Sequence, residues 1–195
     1  MKIIVTGAAG FIGSNLTQNL LKEGHEVTGI DNLSYGRIEN MEKFIDDSHF
    51  RFIEADLKEP EVLKKCKGDV LVHLASQKIP RYSSAMLTLN ENAVLLKNVI
   101  SKCIEDDTKL VFASTSDIYG RNPHLPYSET SEIVLGPTTV KRWAYAISKI
   151  YAEQLIIAYN TEYKLQFTIM RFFGSYGPNQ NLTWWGGPQS VFIDK

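Results

Sequence analysis

The chain has 195 residues, 44 % of them hydrophobic, enough for one well-buried domain or one domain plus part of another. Its 21 Lys and Arg nearly balance 22 Asp and Glu, so no broad electrostatic field is available to hold nucleic acid or an anionic membrane. No stretch approaches the length of a membrane span, and the glycine-punctuated opening MKIIVTGAAGFIG is unlike a signal peptide. Cys66 and Cys103 fit no metal or secreted disulfide spacing. Reduced thiols in a cytoplasmic protein, with no metal site, are the plain reading.

In chain order, short β-branched runs alternate with longer helical patterns, which is how parallel βαβ units read. Strands are predicted at 2–7, 26–31, 51–56, 70–75, 109–114 and 167–172. Each is short, apolar and closed by a polar or small residue, as in strands buried on both faces. Helical periodicity marks 11–24, 59–66, 89–103 and 139–160. The expected fold is α/β, a Rossmann-type doubly wound parallel sheet over residues 1–173. From Gly174 the chain turns rich in Gly, Pro, Asn and Trp without a clear period. We expect 174–195 to be the start of a second, substrate-binding region.

The segment TGAAGFIG sets Gly7, Gly10 and Gly13 three apart between the first strand and the first helix. Missing side chains permit a tight turn, close backbone approach and a helix N-terminus offered to a pyrophosphate. A glycine triplet alone also serves ordinary turns; its place directly after a strand and before a helix is what a dinucleotide site requires. Asp31 closes the second strand eighteen residues after Gly13. There a carboxylate can accept from ribose hydroxyls and would repel a 2′-phosphate, favouring NAD over NADP. Taken alone, Asp31 is equally a turn-capping residue. Asp56 and the HLAS segment (73–76) fall at the same carboxyl edge of the sheet, where ligands of open α/β sheets bind. His73 by itself reads as a packed strand histidine.

The fifth strand runs into STSDIYG (114–120), which carries hydroxyls and a carboxylate to that edge. Hydroxyl-rich strand ends serve turns as often as chemistry. On the following helix, Tyr145 and Lys149 stand four apart on one face. A free phenol, with a pKa of about 10, is a poor base near neutrality. A neighbouring ammonium and a bound nicotinamide cation would lower that value and make Tyr145 a general base for a substrate alcohol. Thr115 would hydrogen-bond the same oxygen. A Tyr-x-x-x-Lys pair in isolation is ordinary on helices; the glycine turn, Asp31 and Thr115 give it meaning.

TGAAGFIG, Asp31, Asp56, HLAS, STSDIYG, YAISK and RFFGSYGP occur in the order of the extended short-chain dehydrogenase/reductase family. The chain resembles its NAD-dependent nucleotide-sugar epimerases and dehydratases over essentially its whole length. The resemblance implies that Gly7, Gly10, Phe11, Ile12 and Gly13 surround the pyrophosphate of NAD, and that Asp31 and Asn32 meet the adenosine ribose. It implies Asp56 and Leu57 at the adenine, and Leu74, Ala75 and Lys78 along the middle of the cofactor. Asn92 matches an asparagine that supports the site. Thr115, Tyr145 and Lys149 match the catalytic threonine or serine, tyrosine and lysine, the last two also touching the cofactor. A homodimer through the helices at 89–103 and 139–160 is implied as well, with Leu95, Leu96 and Ile100 serving either that face or the core.

Two departures bear on the substrate. Gly174 in RFFG replaces an asparagine that many relatives keep near the sugar diphosphate, and relatives continue beyond the point where this chain stops at VFIDK. Family chemistry begins by oxidising the sugar at C4. A UDP-sugar 4-epimerase needs little beyond Thr115, Tyr145 and Lys149 and is the leading expectation. The 4,6-dehydratases carry Asp-Glu after the catalytic threonine, where this chain has Ser116-Asp117. UDP-glucuronate decarboxylases carry a glutamate at the position of Asp117, making Asp117 a fourth catalytic candidate and decarboxylase the alternative. A truncated NAD-binding protein without turnover is the alternative of another class.

Overall fold

In the computed structural model, which describes residues 1–78, 84–181 and 192, Ile3 and Val5 pack in one apolar cluster and Ile4 in another. Side chains alternate across a strand, so a first strand with three consecutive apolar residues, Ile3 to Val5, is buried on both faces. The chain runs β1 (Lys2–Thr6), α1 (Phe11–Lys22), β2 (Glu26–Asp31), a 3-10 turn at Ile38–Met41, β3 (Phe50–Glu54), α2 (Pro60–Lys64) and β4 (Val70–His73). It continues through α3 (Ala85–Glu105), β5 (Lys109–Thr115), a 3-10 turn at Ser116–Tyr119, α4 (Trp143–Tyr163) and β6 (Phe167–Phe172). The strands form one parallel sheet in the order β3-β2-β1-β4-β5-β6. The expected doubly wound sheet is therefore the fold. Its strand order reverses between β1 and β4, where such sheets open a crevice at their carboxyl ends.

Boundaries move for local reasons. β1 ends at Thr6 because Gly7 takes φ 74°, and α1 ends at Lys22 ahead of Gly24 at φ 80°. β4 stops at His73 because the N–H groups of Leu74 and Ala75 turn to the Thr6 hydroxyl. α3 starts four residues earlier than periodicity predicts, at Ala85, where the Ser84 hydroxyl accepts from Leu87 N–H. α4 starts later, at Trp143, since residues 137–144 make turns of three-residue reach.

Leu95, Leu96 and Ile100 belong to the domain core, not to an outer face. The apolar side chains that α3 and α4 present to solvent include Leu87, Val94, Ile147 and Tyr151. Beyond β6, residues 174–181 lie back over α1: Asn15 donates to the Pro178 carbonyl at 2.8 Å and Asn179 to the Ser14 hydroxyl at 3.0 Å. Residues 182–191 and 193–195 of the expected second region lie outside the described residues. Both cysteines are buried, unpaired thiols.

Candidate functional site

The glycine turn is built so that only backbone lines it. A Cβ on Gly7 would stand 2.9 Å from the Ala75 nitrogen, and one on Gly13 would stand 2.0 Å from the Gly7 carbonyl oxygen. Gly13 thus lets α1 press against the turn beneath the cleft, while Gly7 keeps its floor open. Gly10 caps α1 with no side-chain hydrogen bond, so first-turn N–H groups from Phe11 and Ile12 lack intrahelical acceptors.

A cleft of about 190 Å³ opens at the carboxyl ends of β1 to β4. Of the residues singled out from sequence, Gly7, Gly10, Asp31, Asn32, Asp56, Leu57, Leu74 and Ala75 line it. The Asp31 carboxylate accepts from Ala9 N–H at 3.0 Å and Leu33 N–H at 2.8 Å. It therefore performs the turn-capping job and faces the cleft at once, and burial raises its pKa against those hydrogen bonds. Asp56 is held below the ordinary carboxylate value: slight burial works against this, but Lys58 N–H, Asn32 and the Lys58 ammonium outweigh it.

Several lining residues carried no motif. Tyr35 donates to Gln77 Oε1 at 3.1 Å, Gln77 donates to Glu91 at 2.7 Å, and Lys58 bridges Glu91 and Asp56 at 3.4 and 3.3 Å. This polar chain rims the cleft. Gln77 directly follows HLAS and Glu91 directly precedes Asn92, which is the signal that could have found them. Asn92 itself stands outside the cleft lining and fixes the rim: it accepts from Gln77 N–H at 2.7 Å and donates to the Gln77 carbonyl at 3.0 Å and to Ser148 Oγ at 3.1 Å.

The chemical end is assembled by β5 and α4. Thr115 ends β5 and its Oγ1 accepts from Asp117 N–H at 3.2 Å, leaving the hydroxyl hydrogen to donate elsewhere. Lys149 is buried, with Nζ 2.8 Å from the Ala113 carbonyl, 4.7 Å from the centre of the Phe112 ring and 5.8 Å from that of Tyr145. Burial pulls its pKa down to about 7, with Glu153 opposing. Burial also pushes the Tyr145 phenol above its ordinary value, and the Asp117 carboxylate pushes the same way. In the chain's own residues the Tyr145 phenol thus stands above its ordinary value, through desolvation first and Asp117 second, and the lowering expected of Lys149 together with a bound nicotinamide belongs to the cofactor-loaded site.

Desolvation lowers the pKa of Lys78, and the Asp117 carboxylate nearby opposes that fall by favouring the ammonium. His73 is a packed strand histidine: its Nδ1 lies 2.8 Å from Thr6 Oγ1, its ring stacks on Phe112, and burial drives its pKa to about 3. Among the described residues, no three His, Cys, Asp or Glu side chains gather as a metal would need, and no helix is long and apolar enough to cross a membrane.

The model of the NAD dependent epimerase/dehydratase family matches residues 3–184. The chain belongs to this family. It is 33% identical over 183 residues to UDP-glucuronic acid decarboxylase 1 of Xenopus tropicalis, covering 93% of this chain and 42% of that protein. Among solved structures it is similar to the UDP-glucose 4-epimerase of Thermotoga maritima with UDP-glucose (TM-score 0.88, 28% identity, 100% of this chain, 62% of that one). The Thermus thermophilus UDP-glucose 4-epimerase in complex with NAD gives a TM-score of 0.84 at 30% identity, covering 100% of this chain and 61% of that one. The chain spans about half the length of the curated relatives it matches.

NAD is the family's cofactor, and the residues present fit it. The cleft floor is a glycine cradle that a Cβ at Gly7 would close, α1 begins over it without a side-chain cap, and Asp31 and Asp56 stand on its wall.

Proposed function

We propose that the protein binds NAD and interconverts UDP-sugars epimeric at C4, through a transient 4-keto sugar. The observation that carries this reading is the place of Lys149, whose Nζ lies 2.8 Å from the carbonyl of Ala113, two residues before Thr115 at the end of β5, and 5.8 Å from the centre of the Tyr145 ring. Bound NAD would supply a hydride acceptor at C4 in its oxidised form and a hydride donor in its reduced form.

In this reading Tyr145 holds and moves the proton of the C4 hydroxyl at its phenolic oxygen. Thr115 orients that hydroxyl through its own free hydrogen. Lys149, when protonated, offsets the rise that burial and Asp117 impose on the phenol, and Lys78 takes up part of the Asp117 charge. Gly7, Gly10, Phe11, Ile12 and Gly13 bind the pyrophosphate; Asp31 and Asn32 hold the ribose; Asp56 and Leu57 border the adenine; Leu74, Ala75 and Lys78 follow the cofactor's middle.

One observation favours a second reading, decarboxylation of a UDP-glucuronate-like sugar: an acidic side chain, Asp117, stands near enough for its charge to raise the Tyr145 pKa. Relatives such as UDP-glucuronic acid decarboxylase 1 support that reading. A third reading is an NAD-binding chain without turnover. A homodimer through the outer faces of α3 and α4, and a cytoplasmic location consistent with two free buried thiols, complete the proposal.

The test is to incubate the protein with NAD⁺ and either UDP-glucose or UDP-glucuronate and follow the sugars by NMR. Inversion at C4 is expected. Release of CO₂ with a pentose nucleotide replaces epimerisation by decarboxylation, and NAD binding with neither product leaves the third reading.

A further inference from the structure

The reading above does not use the buried ion pair between Glu153 on α4 and Arg171 on β6. Glu153 stands one turn beyond Lys149, with its side chain 7% exposed and that of Arg171 18%. Glu153 Oε1 accepts from the Ser114 hydroxyl and from Arg171 Nε at 3.2 Å, and Oε2 accepts from Arg171 NH2 at 2.8 Å. The remaining arm of the guanidinium donates to the Tyr119 hydroxyl at 3.0 Å and to the Glu129 carbonyl at 2.9 Å. Its plane sits over the Tyr119 ring, 5.2 Å from the centroid.

An ion pair that merely joined a helix to a sheet would need only its own two members. This one reaches Ser114, the residue before Thr115, and Tyr119, the last residue of the 3-10 turn that carries Asp117. Thr115 and Asp117 lie between the two grips. Lys149 adds a third tie, to Ala113. These bonds from α4 and β6 to the end of β5 and the turn after it therefore fix the segment bearing the reacting hydroxyl.

We propose that Glu153 and Arg171 are positioning residues: by gripping both ends of Ser114–Tyr119, one ion pair sets where Thr115 and Asp117 stand relative to Tyr145 and Lys149. The proposal rests on Thr115, Tyr145 and Lys149 being the reacting groups. A lysine at 171 would keep the charge beside Glu153 but lacks the planar fork that reaches Glu153 and Tyr119 together. A glutamine at 153 keeps the shape and removes the charge.

Glu153→Gln and Arg171→Lys are compared with the unaltered chain, with ¹³C-labelled Ile and Thr methyl groups. In both variants the Thr115 and Ile118 methyl signals shift or double, while those of Ile4 and Ile30 at the centre of the sheet stay in place. NAD affinity stays within about twofold, whereas kcat falls roughly 100-fold with KM little changed, the pattern of a misplaced reacting group. Unmoved Thr115 and Ile118 signals, or full turnover, in a folded variant overturn the proposal. So does a spectrum of Arg171→Lys in which Ile4 and Ile30 move as much as Thr115, because the pair is then only a staple of the fold. If the unaltered chain never turns over, the reaction reading fails and the methyl signals alone decide the positioning role.

Discussion

Lys149 Nζ donates to the Ala113 carbonyl at 2.8 Å from a buried position, 4.7 Å from the centre of the Phe112 ring and 5.8 Å from that of Tyr145. Burial brings its folded-state pKa to about 7, below the ordinary 10.5 of the unfolded chain. The penalty for holding it charged is complete below pH 7 and is relieved as pH rises. Between pH 7 and 9 this single group should raise the stability of the cofactor-free protein by about 2 kcal/mol. Above pH 9 the buried Cys66 and Cys103, kept protonated in the fold, pull the other way. Urea unfolding at pH 7 and 9 checks this: Lys149→Met should flatten the rise, and an equal rise in both proteins would refute it.

His73 gives a second window of the same sign at acid pH. Its folded-state pKa of about 3 lies below the unfolded 6.5, so the unfolded chain takes up a proton that the fold refuses. Stability is lost as pH falls from 6.5, by about 2 kcal/mol at pH 5. His73→Gln keeps a polar partner for Thr6 and removes the titration. Its urea midpoint should fall less between pH 7 and 5 than that of the unaltered chain.

The three glycines of the turn should not respond alike to alanine. At Gly13 the new Cβ meets a backbone oxygen at 2.0 Å, with no flexible neighbour to yield. Gly13→Ala should cost at least the roughly 1–3 kcal/mol of ordinary overpacking and lower the thermal midpoint clearly. At Gly10 the nearest atom is the Gly7 oxygen at 3.2 Å, a contact that a shift of the turn by a few tenths of an ångström relieves, and the methyl borders the cleft. Gly10→Ala should lower the melting temperature less than Gly13→Ala does and lose NAD affinity in calorimetric titration.

The outer faces of α3 and α4 carry the proposed dimer. Ile147 and Tyr151 stand one turn apart on α4, and Leu87 and Val94 two turns apart on α3, all exposed. Replacing Ile147 and Tyr151 with glutamate leaves the core untouched. Sedimentation should show the protein at twice its 22.0 kDa chain mass before the change and at that mass after it; a protein already monomeric beforehand rules the dimer out.

The sheet was legible because each strand is a short apolar run closed by a breaker, and the boundaries failed where side chains outside the run decide them. Thr6 draws Leu74 and Ala75 out of β4, a contact between residues 68 and 69 apart that no local pattern announces. The first turn of α3, with Met86 and Leu87 facing outward, has no inward apolar stripe to read. At the site, Tyr145, Lys149 and the glycines were visible through fixed spacing along one element. Glu153 and Arg171 were not, since a buried ion pair between a helix and an edge strand leaves no period in sequence. The rise of the Tyr145 pKa in the cofactor-free chain was hidden for the same reason: it depends on burial in the folded chain and on Asp117, brought close from another element.

Asp117 separates the two proposed reactions by the sign of one effect. Burial raises the Tyr145 pKa and the Asp117 carboxylate adds to that rise, so Asp117 works against a phenolate base. If the protein is an epimerase, Asp117→Asn should move the rising limb of the kcat/KM profile to lower pH and increase turnover near neutrality, because more of Tyr145 is ionised there. If Asp117 serves the loss of a carboxylate as an acid or base, the same change should reduce turnover at every pH. Tyr145→Phe should abolish activity in either case while NAD binding survives, and turnover retained without the phenol removes Tyr145 from the chemistry. Measured side by side across pH 6 to 9, the two variants assign the proton carrier first and the reaction second.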